Sequence, residues 1–231
     1  MADSRLNIPP FAQSCLQVTG NVWFAAQTHP FVQALADGSL PVENFRFYQM
    51  QDARYLEAFT DACSIISARC VQPDDKLWFI DAAKLALVVE RQLHTEYGKQ
   101  LGYDATDIAQ LTLTPNNLAY QNHMLVTCHR GALLEAIAVL TPCPWLYTEL
   151  GQRLQTQLGS PSDDHPYVNW LRTYADDGFV AYTNTLLAYL EAAAQESGEQ
   201  TRQRAQQAFL TSVRYEWMFW QQAWTMQPWP V

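Results

Sequence analysis

Three side chains in this sequence have the chemistry to make and break bonds and sit where their surroundings need explaining: Cys143, Glu216 and Asp52. Cys143 stands between two prolines in LTPCPWLYTEL, residues 140–150. Neither proline has an N–H, so a helix continuing from Ala132 loses the bonds to the carbonyls of Ala138 and Leu140. A new helix starting here removes that cost: Thr141 is its N-cap, Pro142 takes the first helical position, and Cys143 lies in the first turn. The positive end of a helix dipole at that point favours thiolate, the nucleophilic form. Taken alone, a free cysteine is also simply a small buried hydrophobe.

The two acids lie on apolar stripes. In FRFYQMQDARYLEAFTDAC one helix face carries Tyr48, Asp52, Tyr55, Phe59 and Cys63 at steps of three and four. In AFLTSVRYEWMFWQQAW a second face carries Phe209, Val213, Glu216 and Trp220, with Phe219 at its edge. A carboxylate in apolar surroundings is disfavoured by several kcal/mol unless it is paired or protonated. An internal hydrogen bond to a tyrosine or a helix N-terminus explains one such acid and is strained for two. Two carboxyls on aromatic faces with a first-turn cysteine read as a pocket for a flat heterocycle, with acid–base and nucleophilic groups supplied.

Metal chemistry has weaker support. Glu90 and His94 are four apart on one face, a spacing that can chelate, but no Glu-x-x-His pair accompanies them as a di-iron bundle requires. His29, directly before Pro30, has the chemistry to ligate haem and is more commonly a cap in that setting; His123, His129 and His165 stand alone.

The bulk properties narrow the partners. Net charge is −9, from 14 basic and 23 acidic residues, which argues against nucleic acid or an anionic membrane and for a neutral or cationic small molecule. The start, MADSRLNIPP, has no charged-then-apolar leader, and no apolar run is long enough to span a bilayer, so the expected location is the cytoplasm. Five cysteines without a CxxC spacing suggest reduced thiols rather than disulfides or zinc.

The elements that must position these groups are helices. Only nine glycines occur among 231 residues and apolar residues recur at three- and four-residue intervals, which implies one all-α domain over residues 1–231. The pattern predicts helices over 12–26, 28–37, 42–67, 74–101, 115–129, 132–141, 142–158, 166–194 and 199–224. Breaks fall at QPDD, LTLTPNN, HRG, LGSPSDDHP and ESGEQ, each with proline, glycine or capping side chains.

Four segments, HPFVQALADGSLPVENFRFYQMQDARYL, LTPCPWLYTEL, HPYVNWLRTYADDGF and RYEWMFW, together resemble the TenA family, also called thiaminase II or aminopyrimidine aminohydrolase, across nearly the whole chain. The resemblance implies the all-α bundle shared with haem oxygenase and a homotetramer, with no cofactor. It implies Cys143 as nucleophile, Glu216 as acid, Asp52 as the pyrimidine-recognising carboxyl, and Tyr55, Tyr120, Tyr147, Tyr174 and Phe219 lining the pocket. Pro144 departs from the aromatic residue common after the cysteine. The fold is also shared with pyrroloquinoline-quinone synthase and di-iron oxidases, and fold alone does not choose among such chemistries. Alternatives of other classes are a non-catalytic binder of thiamin or its pyrimidine and a metal- or haem-dependent oxidase.

The implied substrates carry a leaving group on a methylene attached to a 4-aminopyrimidine: an amine in degraded thiamin, thiazolium in thiamin itself. Addition of the Cys143 thiolate to the ring lets the ring expel that group, with Glu216 moving protons. Asp52 matches the ring's amino donor and neighbouring acceptor nitrogen by accepting with one oxygen and donating with the other.

Overall fold

The computed structural model describes residues 5–159 and 162–231, and the side chains of all of these except 89–95 and 158. Its described elements are all helices: α1 (Pro10–Val18), α2 (Val22–Gln27), α3 (Pro30–Asp37), α4 (Val42–Arg69), α5 (Pro73–Leu101) and α6 (Ala105–Gln110). They continue with α7 (Pro115–Arg130), α8 (Leu133–Leu140), α9 (Pro142–Leu158), α10 (Val168–Ala175), α11 (Asp177–Gln195) and α12 (Glu199–Thr225). Helix starts follow local chemistry. Proline occupies the first turn of α1, α3, α5, α7 and α9, where its missing N–H costs nothing. Thr114 and Asp104 cap α7 and α6 with their side chains.

Three readings of the sequence need correction. The helix expected over 12–26 is two, because the chain turns at Thr19–Asn21 with Gly20 at φ 53°, a left-handed conformation that glycine adopts at least cost. The helix expected over 166–194 is also two. Asp176 leaves the helical region at ψ 139° and its carboxylate accepts from the Gly178 N–H at 2.8 Å, capping a new helix. The short α6 has no apolar stripe, no buried residue and a capping box of two aspartates, Asp104 and Asp107, so hydrophobic periodicity gave no sign of it.

Of the three long helices, α4 and α12 carry the buried site residues into the centre of the bundle. α12 packs against α1, α2, α3, α4, α7, α8 and α9, and α5 lies along α4. Both apolar stripes face inward: Tyr48, Asp52, Tyr55, Phe59 and Cys63 are buried on α4, as are Phe209, Val213, Glu216, Phe219 and Trp220 on α12. Asn44 ties the two axes by donating to the carbonyls of Ala223 and Trp224, both at 2.8 Å. Asn117 on α7 donates to the Gln51 backbone carbonyl and to Gln51 Oε1, also at 2.8 Å, setting Tyr120 one turn later against α12.

Where α9 crosses α10, the helices touch through a glycine. A Cβ on Gly151 would collide with the Tyr174 carbonyl and come within 2.7 Å of the Ala175 nitrogen, all backbone that cannot rotate away. Gly151→Ala is expected to lose roughly 1 to 3 kcal/mol of stability, read by denaturant unfolding. It should also lower turnover, because the clash moves Tyr174; an alanine variant as stable as wild type would show that α10 docks more loosely.

No helix of the described residues is long and apolar enough to cross a membrane.

Candidate active site

The α8–α9 junction places Cys143 in the first turn of α9, as the two prolines imply. The junction is nevertheless not a free helix start. Thr141 has helical dihedrals, φ −58° and ψ −37°, and its hydroxyl turns back to the Ile137 carbonyl at 2.8 Å instead of capping α9. The backbone path therefore runs from α8 into α9 with one irregular turn. Hydroxyls bond carbonyls around the turn: Val139 accepts from Ser212 at 2.9 Å and Pro144 from Thr148 at 2.7 Å. Thr148 in turn pairs with Thr183 of α11 at 2.7 Å, which fixes α9 against that helix.

Cys143 is half-buried, and it lines a cavity with about 640 Å³ of empty space, open solvent at its mouth included. Asp52, Tyr147 and Tyr174 line the same cavity, with Leu56, Phe59, Pro144, Phe179 and Tyr182. Its wall is almost wholly apolar and aromatic, the setting in which a few polar groups orient a flat ligand. Pro144, the departure from the family pattern, is thus part of the cavity wall.

The remaining expected residues form a layer behind the thiol. Tyr120 donates to Glu216 Oε1 at 2.6 Å. The Tyr55 ring lies 4.8 Å from that of Tyr120 and 5.7 Å, edge-on, from that of Phe219. Glu216 thus has the tyrosine partner that a buried acid on an apolar stripe requires. Tyr55, Tyr120, Glu216 and Phe219 are all buried and do not line the cavity themselves. Phe179 and Tyr182, which sequence reading did not assign, line the cavity from α11. Reading 166–194 as one helix hid them: the break at Asp176 folds Phe179 back edge-on to Tyr174, ring centroids 5.1 Å apart.

Burial dominates the electrostatics. It pushes the Glu216 carboxyl up to about 7, against the opposing pull of the Tyr120 hydrogen bond, so this acid holds and releases protons near neutral pH. Burial also pushes the Cys143 thiol well above its ordinary value, and the charges of Glu216 and Asp52 push it further. This corrects the expectation of a dipole-favoured thiolate: burial and two facing acids outweigh the position of Cys143 at the start of α9. The Tyr55 hydroxyl stands beside the thiol and offsets part of the rise by offering its proton to a thiolate. The same desolvation raises Tyr55, Tyr120, Tyr147 and Tyr174, which keeps them neutral donors.

Three of the histidines are held by hydrogen bonds. His29 Nδ1 accepts from the Phe31 N–H at 3.1 Å, capping α3, and its Nε2 bonds Gln221 at 3.0 Å. His123 and His165 bond the carbonyls of Ala208 and Ala36. The Glu90–His94 pair lies outside the described side chains. Among the described residues no group of three or more His, Cys, Asp or Glu could hold a metal ion.

The model of the TENA/THI-4/PQQC family matches residues 18–226. The chain belongs to that family. Among similar proteins, this TENA/THI-4/PQQC member is 33% identical to the aminopyrimidine aminohydrolase of Halalkalibacterium halodurans, over 95% of the chain and 97% of that protein. It is 29% identical to the aminopyrimidine aminohydrolase of Bacillus subtilis, over 95% of the chain and 92% of that protein. Its fold superposes on a TenA homologue protein from P. horikoshii OT3 with a TM-score of 0.85 at 27% identity, covering 94% and 99% of the two chains. A domain from Shewanella denitrificans with a haem-oxygenase-like fold superposes with a TM-score of 0.66 at 11% identity, over 93% of this chain and 92% of that one. The all-α bundle of this family member is therefore of the haem-oxygenase-like type.

Proposed function

We propose that this chain is an aminopyrimidine aminohydrolase of thiamin salvage, turning aminomethyl-aminopyrimidine into hydroxymethylpyrimidine and ammonia through a covalent adduct at Cys143. One observation carries the reading: a thiol on the wall of an aromatic cavity, with Asp52 on the same wall and, behind the thiol, a carboxyl poised near pH 7. The full-length likeness to two aminopyrimidine aminohydrolases supports it.

Because the thiol is neutral at rest, attack needs a base at hand. Glu216 takes the thiol proton as sulfur bonds to a ring carbon, and the displaced electron pair moves onto a ring nitrogen. That pair then returns to expel the amine: the methylene C–N bond breaks, Glu216 gives its proton to the departing nitrogen, and the ring keeps an exocyclic double bond. Water adds to the exocyclic carbon and leaves its proton on Glu216. Cleavage of the C–S bond restores the aromatic ring, and the sulfur regains its proton. The net change is water in and ammonia out. Asp52 accepts from the ring's amino group and donates to the adjacent nitrogen, fixing the ring; Tyr147 and Tyr174 offer further hydroxyls and Tyr55 attends the sulfur. Thiamin fits the same sequence except that its thiazolium departs as neutral thiazole without taking a proton, so Glu216 sheds that proton to solvent before it takes the one from water.

The test is ammonia release from aminomethyl-aminopyrimidine beside thiamin cleavage, with the purified protein. Release of ammonia with formation of hydroxymethylpyrimidine is the expected result. Tight pyrimidine binding without turnover would instead make the chain a binding protein.

The reading extends to a cytoplasmic homotetramer with one domain per chain. Leu77, Ile80 and Val88 on α5 and Phe24 on α2 are each half or more exposed, and Trp224 and Trp229 are more than a third exposed, apolar surface that a subunit interface would cover. Sedimentation at micromolar concentration is expected to give four subunits, and a monomer alone would remove the claim.

A further inference from the structure

Behind the cavity wall a second set of hydroxyl and indole groups has no role in the chemistry above. Trp170 Nε1 lies 3.3 Å from the Tyr48 hydroxyl, which lies 3.1 Å from the Tyr147 hydroxyl. Trp170 and Tyr48 are fully buried and neither lines the cavity, whereas Tyr147 does. We propose that Trp170 and Tyr48 are positioning residues, a one-way hydrogen-bond chain that turns the Tyr147 proton into the cavity toward an acceptor nitrogen of the substrate.

The direction follows from donor chemistry. An indole N–H only donates, so the Tyr48 oxygen is its acceptor. The Tyr48 proton then needs an acceptor of its own. The rings of Phe31, Phe45, Phe219 and Trp220 surround Tyr48 at 5.3 to 6.0 Å and supply none. The Trp220 indole N–H, itself buried without a partner, is another donor. Asp52 faces Tyr48 as a charge, but the Tyr48 hydroxyl's hydrogen bonds run to Trp170 and Tyr147, and of these only the Tyr147 oxygen can accept; leaving a buried hydroxyl proton unpaired costs more than making that bond. Tyr147 therefore accepts from Tyr48, and its own proton is left over for the cavity. The Tyr147 ring cannot swing away, being held between Trp170, Tyr174 and Trp220 with centroids at 5.8, 4.8 and 5.1 Å.

Tyr147 is one helical turn after Cys143, so its hydroxyl and the thiol share a face of α9. A ring attacked by the thiol gathers negative charge on nitrogen, and a donor aimed at that nitrogen stabilises the adduct more than the free ring. Hydrogen bonds in series polarise one another, so the two buried groups strengthen the donor as well as orient it.

The proposal rests on the cavity being the aminopyrimidine site, and its test separates the two claims. Tyr48→Phe, Tyr147→Phe and the double variant form a cycle, with Trp170→Phe as a fourth protein. Each is measured for kcat/KM on aminomethyl-aminopyrimidine, for affinity for hydroxymethylpyrimidine, and for unfolding midpoint. Tyr48→Phe, which keeps the ring, should lower kcat/KM by roughly three- to tenfold, the worth of one misdirected hydrogen bond. The loss should fall more on kcat than on pyrimidine affinity. In the Tyr147→Phe background the same change should cost nothing further, because the group it serves is gone. Trp170→Phe should follow that pattern more weakly. Losses that multiply in the double variant, or full activity in Tyr48→Phe, would overturn the relay and leave Tyr48 as packing. A wild-type protein that binds the pyrimidine but releases no ammonia would sink the proposed reaction alone, with the relay then read from the same cycle in affinity. A wild type that does not bind the pyrimidine overturns both.

Discussion

Cys143→Ser is expected to abolish turnover of aminomethyl-aminopyrimidine, by at least ~10³-fold, the range in which loss of a nucleophile falls. The substitution changes size little, so the fold and affinity for hydroxymethylpyrimidine should persist. The reason lies in the site rather than in the isolated residue. Burial and two facing acids already hold the thiol above its ordinary value, so the protein relies on Glu216 to take its proton during attack. A serine hydroxyl in the same place is a far weaker acid, and a carboxylate poised near 7 cannot deprotonate it appreciably. The other cysteines separate cleanly from this one. Cys15, Cys63, Cys70 and Cys128 are buried, and serine there should leave the rate per folded molecule little changed. Iodoacetamide should reach Cys143 first because it lines the cavity, not because it is acidic. The labelling should rise steeply with pH and slow when hydroxymethylpyrimidine is present. A Cys143→Ser protein that turns over near the wild-type rate would remove the adduct from the mechanism.

Glu216→Gln should show opposite effects on activity and on stability. The amide keeps an oxygen for the Tyr120 hydroxyl, now 2.6 Å from Oε1, but carries no proton between thiol, amine and water. Loss of a group that transfers protons typically costs on the order of 10² to 10⁴ in rate. In the wild type, the limb of the pH–rate profile set by Glu216 ionisation should rise through about 7, the value to which burial lifts this carboxyl from 4.5. That limb should vanish in the variant. Stability moves the other way. Between 4.5 and 7 the folded protein binds the Glu216 proton more tightly than the unfolded chain does, so its contribution is present in full below 4.5 and is lost as pH rises through 7. At pH 8 the wild type therefore buries an ionised carboxylate at a cost on the order of 3 kcal/mol relative to acid pH. Glu216→Gln has no such term. Its unfolding free energy relative to wild type should improve from pH 5 to pH 8, and parallel pH dependences in the two proteins would show that Glu216 does not titrate in this window.

Much of this protein was legible along the chain, for a physical reason. Helix periodicity and end signals are local, so α9 begins and ends where the sequence puts it, and α4, α5, α7 and α12 lie within two residues of expectation. The same periodicity set Asp52 and Glu216 on apolar stripes, and burial of both stripes follows from it. The likeness of four short segments to one family pointed to the fold before any contact was known. What the chain could not disclose depends on what lies opposite each face. A stripe says that Glu216 is buried but not that Tyr120 on α7 pairs with it, 96 residues away. Two prolines say that the backbone is irregular at Cys143, but the acidity of the thiol is set by desolvation and by charges from α4 and α12. Those outweigh the dipole at the start of α9. The direction of the Tyr147 proton depends on Trp170 and Tyr48, from two further helices, and a hydrogen bond's direction exists only once its donors and acceptors have been brought together. Sequence thus determined the helices and their buried faces; the tertiary structure decided the protonation states, because desolvation and pairing are properties of space and not of spacing.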